Sequence, residues 1–367
     1  MKKLVIIGTG SHHVHLLLTL TRQALEGVQV TLVAPTLRQL YGPMLPDFVS
    51  GVVTQEDGLI DLEARLKRSG IRYLPLSMVA LDAQAKTLTL SNGNPLPFDW
   101  LSINNGDVMD RAQLELKLPG VREHGLFLHP SEAFSKLWPS VLTLAESRAL
   151  RIAVLGDSLQ SLEIALAVRH RLPSASITLL LHSAALASQC SPAFQAYLTL
   201  VLKKEQITVL DDHAVRLTDG QVTLACGAGL VCDVPIVALG APAPGWLADS
   251  KLALDEQGFG ATDELQRSIS NPCVFIPDQA TASEQQTVWR RHTAQVAADS
   301  ATTQALFAAI KGLPKNTRQA PKSSLTLVAG GGTIAMASWG KYSFRGRWLW
   351  RLKNWIDRAA VQRLRRP

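Results

Sequence analysis

The sequence predicts an α/β fold: two three-layer units on parallel sheets, closed by a C-terminal hairpin and a basic amphipathic helix. Two stretches carry that expectation. The first is Leu4-Val5-Ile6-Ile7, an apolar run suited to a buried parallel strand. It stops at Gly8-Thr9-Gly10-Ser11-His12-His13, and helical apolar spacing follows at Val14, Leu17, Leu18 and Leu20. The second is the strand-like run 151–155, the turn Gly156-Asp157-Ser158-Leu159-Gln160-Ser161 and an apolar helix pattern over 162–167. Strand, tight turn and helix occurring twice in one chain make an internal repeat of β-α-β units.

In the first unit this is the Rossmann-like frame in which a dinucleotide pyrophosphate is held. Gly8 permits the tight turn and Gly10 lets the backbone come close to phosphates. The N–H groups and positive dipole end of the helix then face the anion. The third glycine position holds His13, so the motif is incomplete. Residues 28–33 read as the second strand, and an acidic residue at its end would bind ribose hydroxyls. Ala34 and Pro35 stand there instead, which weakens recognition of the adenosine ribose but not of the pyrophosphate. Tyr41-Gly42-Pro43-Met44-Leu45-Pro46, with Phe48-Val49-Ser50-Gly51, makes a stiff, partly buried loop. It suits contact with a flat ring or, equally, a packed connector. Residues 59–69 suggest a short helix and 71–74 a strand. Residues 79–82 and 87–90, with the turn Ser91-Asn92-Gly93-Asn94, suggest an antiparallel meander. A strand over 98–103 then runs into Asn104-Asn105-Gly106-Asp107, a second place for backbone to meet a cofactor.

In the second unit both later glycine positions are serine, Ser158 and Ser161. A Cβ restricts the backbone and crowds close phosphate approach, and Asp157 adds negative charge beside the turn. Strand–turn–helix geometry survives these changes, while nucleotide affinity is weakened. A strand over 176–181, a helix at about 192–204, a strand over 207–209 and a hairpin around 227–229 follow. The run 234–239 closes the unit at Gly240.

Composition limits the alternatives. A chain of 367 residues predicts two or three domains, and 47% hydrophobic with 18% charged residues describes a folded protein. No stretch has the length of a transmembrane helix. The N-terminal apolar run is too short for a signal peptide, so a cytoplasmic protein is expected. Cys190, Cys226, Cys232 and Cys273 form no Cys-x-x-Cys pair and read as buried thiols in strands. His12, His13 and His15 have no acidic or cysteine partner nearby in sequence, so no metal is expected.

The net charge of +7 belongs to the C-terminus: residues 341–367 hold nine basic residues and a single acid, Asp357. Four of the eight tryptophans, Trp339, Trp348, Trp350 and Trp355, sit among those arginines. From 346 onward Arg347, Arg351, Asn354, Arg358, Gln362 and Arg365 form one polar helical face. Trp348, Leu349, Leu352, Trp355, Ile356, Ala359, Ala360 and Leu364 cover much of the other. A basic face opposite a tryptophan-rich one suits an in-plane helix on an anionic membrane surface. The same faces also suit packing on the body or on a second subunit as a homodimer. Nucleic acid is not expected, because the aromatics share their face with aliphatics instead of forming an exposed stacking row.

The order of these parts resembles the FAD/NAD(P)-dependent pyridine nucleotide-disulfide oxidoreductase superfamily. Within it the chain is most similar to type-II NADH:quinone dehydrogenases and to the flavoprotein domain fused to selenophosphate synthetase. The resemblance rests on the two turns, the histidine at the third glycine position and Tyr41-Gly42-Pro43-Met44-Leu45-Pro46. It also rests on the ending Trp339-Gly340…Gly346-Arg347-Trp348…Lys353…Ile356-Asp357-Arg358. It implies a discontinuous FAD-binding domain (1–118 and 245–312), an NAD(P)-binding-like domain (119–244) and a C-terminal membrane or dimer segment (313–367). It further implies that Gly8 and Gly10, with His13 at the third position, hold the FAD pyrophosphate. Met44 and Leu45 would border the isoalloxazine, Val79 would meet adenine through its backbone, and Gly106 would lie near the phosphates. Asp278 would bind the ribityl hydroxyls, although the glycine expected before it is Pro277, which removes one backbone donor. Ala294 and Gln295 would open the helix that meets the flavin and the quinone pocket, where Asp299 replaces the expected second glutamine. Gly156, Ser158, Ser161, Glu163 and Gly240 would form the NAD(P) site. The activity implied is hydride transfer from NAD(P)H to FAD and on to a quinone or other acceptor. Its rival is a flavoprotein with a degenerate nicotinamide site, serving selenium or sulfur metabolism or acting as a sensor or scaffold.

Overall fold

The computed structural model describes residues 1–104, 111–181, 190–240, 243–277, 290–313, 325–339 and 342–365. The chain opens with β1 (Lys2–Ile7), α1 (Ser11–Arg22) and β2 (Val28–Val33), followed by α2 (Leu45–Val49), β3 (Arg72–Leu74) and β4 (Trp100–Ile103). The second run is β5 (Leu126–Phe127), α3 (Ser131–Ser147), β6 (Arg151–Leu155), α4 (Leu159–Arg171) and β7 (Ser176–Leu180). It continues with α5 (Pro192–Lys204), β8 (Thr208–Leu210) and β9 (Val234–Val237). β10 (Val274–Phe275) and α6 (Arg290–Lys311) come next. The tail is β11 (Leu325–Ala329), β12 (Ala335–Trp339), β13 (Tyr342–Gly346) and α7 (Arg347–Arg365).

Two five-stranded parallel sheets result. The first has the order β10-β4-β1-β2-β3 and the second β5-β9-β6-β7-β8. The first sheet is completed by β10, which arrives only after the whole second sheet has been made. Strand alternation explains the layers. Leu4 and Ile6 face a cluster with Val14, Leu17, Phe307 and Ile310 of α1 and α6. Val5 and Ile7 face the opposite side, against Met78 and Leu88 of the antiparallel meander 78–97 and Phe98 just after it. The second sheet repeats the plan. Ile152 and Val154 pack on Phe134 and Trp138 of α3 and on α4, while Ala153 and Leu155 pack on Leu217 and Val222 of the meander 214–231. Each unit is therefore three layers deep, with helices on one face and a small antiparallel sheet on the other.

Three expectations change. Residues 59–69 are not one helix: Leu59–Asp61 is a strand paired with Arg38–Leu40, and only Glu63–Leu66 is helical. The cysteines are all free, but only Cys232 is buried, and Cys226 is exposed in a turn. The C-terminal hairpin is the second half of a three-stranded antiparallel sheet, because β11 pairs with β12.

The faces of α7 also differ from the sequence reading. Its buried seam is Leu349, Lys353, Asp357 and Val361, spaced four apart, with Trp350, Ile356 and Leu364 half-buried alongside. Trp348, Leu352 and Trp355 point to solvent with Arg347, Arg351 and Arg358. The seam goes to the charged pair because buried partners await it, as described below.

The tail holds both units. Arg365 donates to the Leu59 and Glu56 carbonyls, and Arg345 pairs with Glu205 of the second unit at 2.7 Å. The turn Gly330–Gly332 rests on α4, where a Cβ at Gly331 or Gly332 would crowd the Leu166 carbonyl or the His170 ring. Among the described residues no helix is long and apolar enough to cross a membrane, and no group of His, Cys, Asp and Glu could hold a metal ion.

Candidate functional site

The first turn leaves a helix N-terminus without a side-chain cap or a carboxylate. Gly8 takes φ +88°, a left-handed conformation that favours glycine, and its N–H is tied to the Val33 carbonyl at 2.8 Å. Gly10 is the N-cap of α1 and has no side-chain cap, and its N–H reaches the Asn104 carbonyl at 3.2 Å. No acidic residue lies in the first turn of this twelve-residue helix. The turn sits at the carboxyl ends of β1, β2 and β4, where parallel sheets take their ligands. A glycine turn and a helix end bare of carboxylates fit a pyrophosphate.

The other residues expected around a flavin are placed unevenly. His13 is fully buried, with Nδ1 2.9 Å from the Gly8 carbonyl and Nε2 2.8 Å from Ser102 Oγ of β4. Its ring turns into the fold, so it cannot touch a ligand in the crevice. Met44 and Leu45 also send their side chains inward: Met44 lies against Val53 and Val361, and Leu45 joins the core around Phe134 and Trp138. Val79 is half-exposed beside a bulge in the strand Met78–Asp82. Ala294 and Gln295 lie near the start of α6. Gly106 and Asp278 fall outside the described residues.

The second turn is closed by its own side chains. A Cβ at Gly156 would collide with the Ala238 carbonyl just past β9, so close strand approach is what demands glycine there. Gly240 follows two residues later and is half-buried. Ser158 caps α4 through its Oγ, which accepts from the Ser161 N–H at 3.4 Å. Ser161 Oγ lies 2.8 and 2.6 Å from the Gly156 and Ser158 carbonyls, between which its one proton is shared. One helix-end N–H that would otherwise face a phosphate is thus engaged internally.

Glu163 does not face this turn. It is buried on α4, a helix buried nearly all round up to Val168, and Oε1 accepts the Ala329 N–H of β11 at 2.6 Å. It belongs to a buried cluster that sequence reasoning does not find. Lys353 of α7 donates all three ammonium protons: to the Pro43 carbonyl at 2.9 Å, to Asp47 Oδ2 at 2.6 Å and to Asp357 Oδ2 at 2.9 Å. Asp47 Oδ1 accepts from Trp350 Nε1 at 3.1 Å. Asp357 Oδ1 is buried without a hydrogen-bond partner. Two carboxylates thus share one ammonium, and Glu163 feels the charges of all three. Burial pushes Glu163 up to about 8, outweighing the Ala329 N–H and Lys353, which pull it down, while Asp47 and Asp357 add smaller upward pushes. Burial likewise raises Asp357 to about 6 against the pull of Lys353. For Lys353 itself burial opposes the charge, but Asp357 and Asp47 overcome it and hold its ammonium well above the ordinary lysine range. The one sequence signal is a charge inside an apolar run, Leu162-Glu163-Ile164-Ala165-Leu166.

These shifts fix a pH dependence. An acid whose folded value is raised keeps a proton that the unfolded chain has lost. Stability therefore falls as pH rises from the ordinary glutamate value of 4.5 towards about 8. Asp357 adds to the fall only up to about 6. Glu163→Gln is expected to flatten the slope above that point and to leave the variant more stable than wild type at alkaline pH. Urea unfolding between about pH 5 and about pH 9 reads this directly.

No protein-family model and no curated protein sequence matches the chain. Solved structures do. The sulfide:quinone oxidoreductase of Aquifex aeolicus aligns at TM-score 0.77 and 13% identity over 100% of this chain and 92% of its own. NDH2 from Plasmodium falciparum, solved with NADH, aligns at 0.67 and 15% over 100% and 99%. A NAD-dependent persulfide reductase from A. fulgidus aligns at 0.68 and 17% over 91% of this chain, which spans only 63% of that protein. At these identities the likeness is one of fold: the chain shares with these proteins an α/β architecture of two units on parallel sheets.

Proposed function

We propose that the chain is an FAD-dependent oxidoreductase that takes a hydride from NAD(P)H and delivers electrons to a quinone or another acceptor. The observation that carries this reading is the open glycine cradle at Gly8 and Gly10, set in the first of two dinucleotide-type units. Residues 1–118 and 245–312 are assigned to FAD, 119–244 to the nicotinamide nucleotide and 313–367 to the tail. Bound FAD supplies the hydride acceptance and electron transfer, and the protein supplies position and electrostatics. Gly8, Gly10 and the N–H groups of α1 would receive the pyrophosphate, and Asp278 would bind the ribityl hydroxyls. Gly106 would serve the phosphates, and Ala294 and Gln295 would meet the ring. Met44, Leu45 and Val79 contribute backbone. Under anaerobic conditions NADH or NADPH should bleach the bound flavin within seconds.

The self-capped second turn favours one alternative, a flavoprotein with a degenerate nicotinamide site that serves selenium or sulfur metabolism or acts as a non-catalytic sensor or scaffold. The two are separable. Ser158→Gly costs little as a cap and releases the Ser161 N–H, so nucleotide binding should tighten about tenfold if capping limits it. A flavin reduced by dithionite but by neither nucleotide, in wild type and variant alike, favours the decayed site.

The tail supplies a surface for the acceptor. Trp348, Leu352 and Trp355 stand outward at spacings of four and three among Arg347, Arg351 and Arg358. An aromatic and basic stripe of this kind suits the headgroup level of an anionic membrane, where quinone resides. Trp348→Ala with Trp355→Ala should abolish co-sedimentation with anionic liposomes at low salt without unfolding the chain. Equal sedimentation of wild type and variant would place the acceptor elsewhere.

A further inference from the structure

A phosphate-binding turn must present N–H groups and keep its carbonyl oxygens away from the anion. At Gly8-Thr9-Gly10 every carbonyl has a donor of its own. The Gly8 carbonyl faces His13 Nδ1 at 2.9 Å, the Thr9 carbonyl accepts from Gln39 Nε2 at 2.8 Å, and the Gly10 carbonyl accepts the Val14 N–H at 3.1 Å. The last is an ordinary first bond of α1; the other two are made by side chains. A carbonyl can only accept, so His13 Nδ1 carries a proton. The second ring nitrogen, on Ser102 Oγ, anchors the imidazole to β4, whose Ser102 is paired in register with Ile6 of β1 and Phe275 of β10. His13 thereby bridges the turn to the middle of the first sheet.

We infer that His13 and Gln39 are positioning residues for the cofactor pyrophosphate: they hold the Gly8 and Thr9 carbonyl oxygens on donors of the protein and so away from the anion. The inference rests on the FAD assignment and deepens it. The usual third glycine allows close packing of helix on strand. Here a histidine side chain fills that gap and sets peptide orientation by hydrogen bonds, without touching the ligand. A peptide free to rotate would aim a carbonyl dipole at the phosphates, an unfavourable contact in a partly dry crevice.

The side-chain chemistry makes the test selective. Asparagine places its amide N–H near the position of Nδ1, so His13→Asn keeps the donor to Gly8. His13→Leu keeps the bulk and removes it. Dissociation constants for FAD are measured by flavin fluorescence, beside the thermal stability of each apo protein and the 31P shifts of the bound pyrophosphate. Loss of one orienting hydrogen bond is expected to weaken binding about tenfold in His13→Leu and in Gln39→Leu, with displaced 31P shifts. His13→Asn should stay close to wild type. Gln39 is only half-buried, so Gln39→Leu decides alone if His13→Leu does not fold. Unchanged FAD affinity and 31P shifts in folded His13→Leu, or in Gln39→Leu, overturn the inference while leaving the FAD assignment standing. Wild-type protein that binds no FAD overturns the assignment, and the positioning role with it.

Discussion

Lys353→Met is expected to cost about 3–5 kcal/mol of stability at neutral pH, because it leaves buried carboxyls without their cation. Lys353 is 0% exposed and serves three acceptors from two elements, Pro43 and Asp47 beside α2 and Asp357 on α7 itself. Its loss uncompensates Asp47 and Asp357 and worsens the field on Glu163. Protonation relieves the variant, so its deficit should shrink at acidic pH and grow at alkaline pH. Adding Asp47→Asn and Asp357→Asn should recover much of the loss, since those carboxyls are then neutral. Denaturant titrations of the single and triple variants check both statements.

The second large effect is on the cofactor. Gly10→Val should abolish FAD retention while the chain stays folded. Gly10 has φ −54° and ψ 168°, a conformation open to any residue, so backbone strain is not what requires glycine. Space is: a branched side chain at the N-cap stands where the phosphates approach. Gly8 is the contrasting case, since its φ of +88° makes Gly8→Ala a strain of about 1–2 kcal/mol on the fold itself. Flavin content per chain, measured with apo-protein melting, separates the two.

Much of the fold is legible because strands buried on both faces leave continuous apolar runs. Residues 4–7, 152–155 and 234–237 are each buried throughout. The glycine turn is legible for a similar reason: Gly8 must adopt a conformation that leaves a mark in sequence. The small meanders announce themselves by alternation, as in Thr87–Leu90. The strand Leu59–Asp61 does not, because three residues are too few to show a period and helix spacing continues through Leu62 and Leu66.

The buried cluster is the clearest case of what sequence withholds. Lys353 reads as one more cation in a basic tail, and its partner Asp47 lies 306 residues away. Only folding brings them together, and the pair then decides which face of α7 packs, overriding the tryptophans that dominate the helical pattern. His13 is similar. As a missing glycine it looks like damage to a motif, and only its bonds to Gly8 and Ser102 show it replacing one kind of support with another. The serines of the second turn are legible as departures, but not the bonds by which they close it.

On the proposed function, the first unit holds FAD at the turn of Gly8 and Gly10. An absorption spectrum of the purified full-length chain, as isolated and again after incubation with excess FAD and desalting, tests it most directly. The account predicts a yellow protein carrying about one flavin per chain in one or both samples, with Gly10→Val colourless after the same treatment. A folded wild-type chain that remains colourless after FAD loading would contradict it.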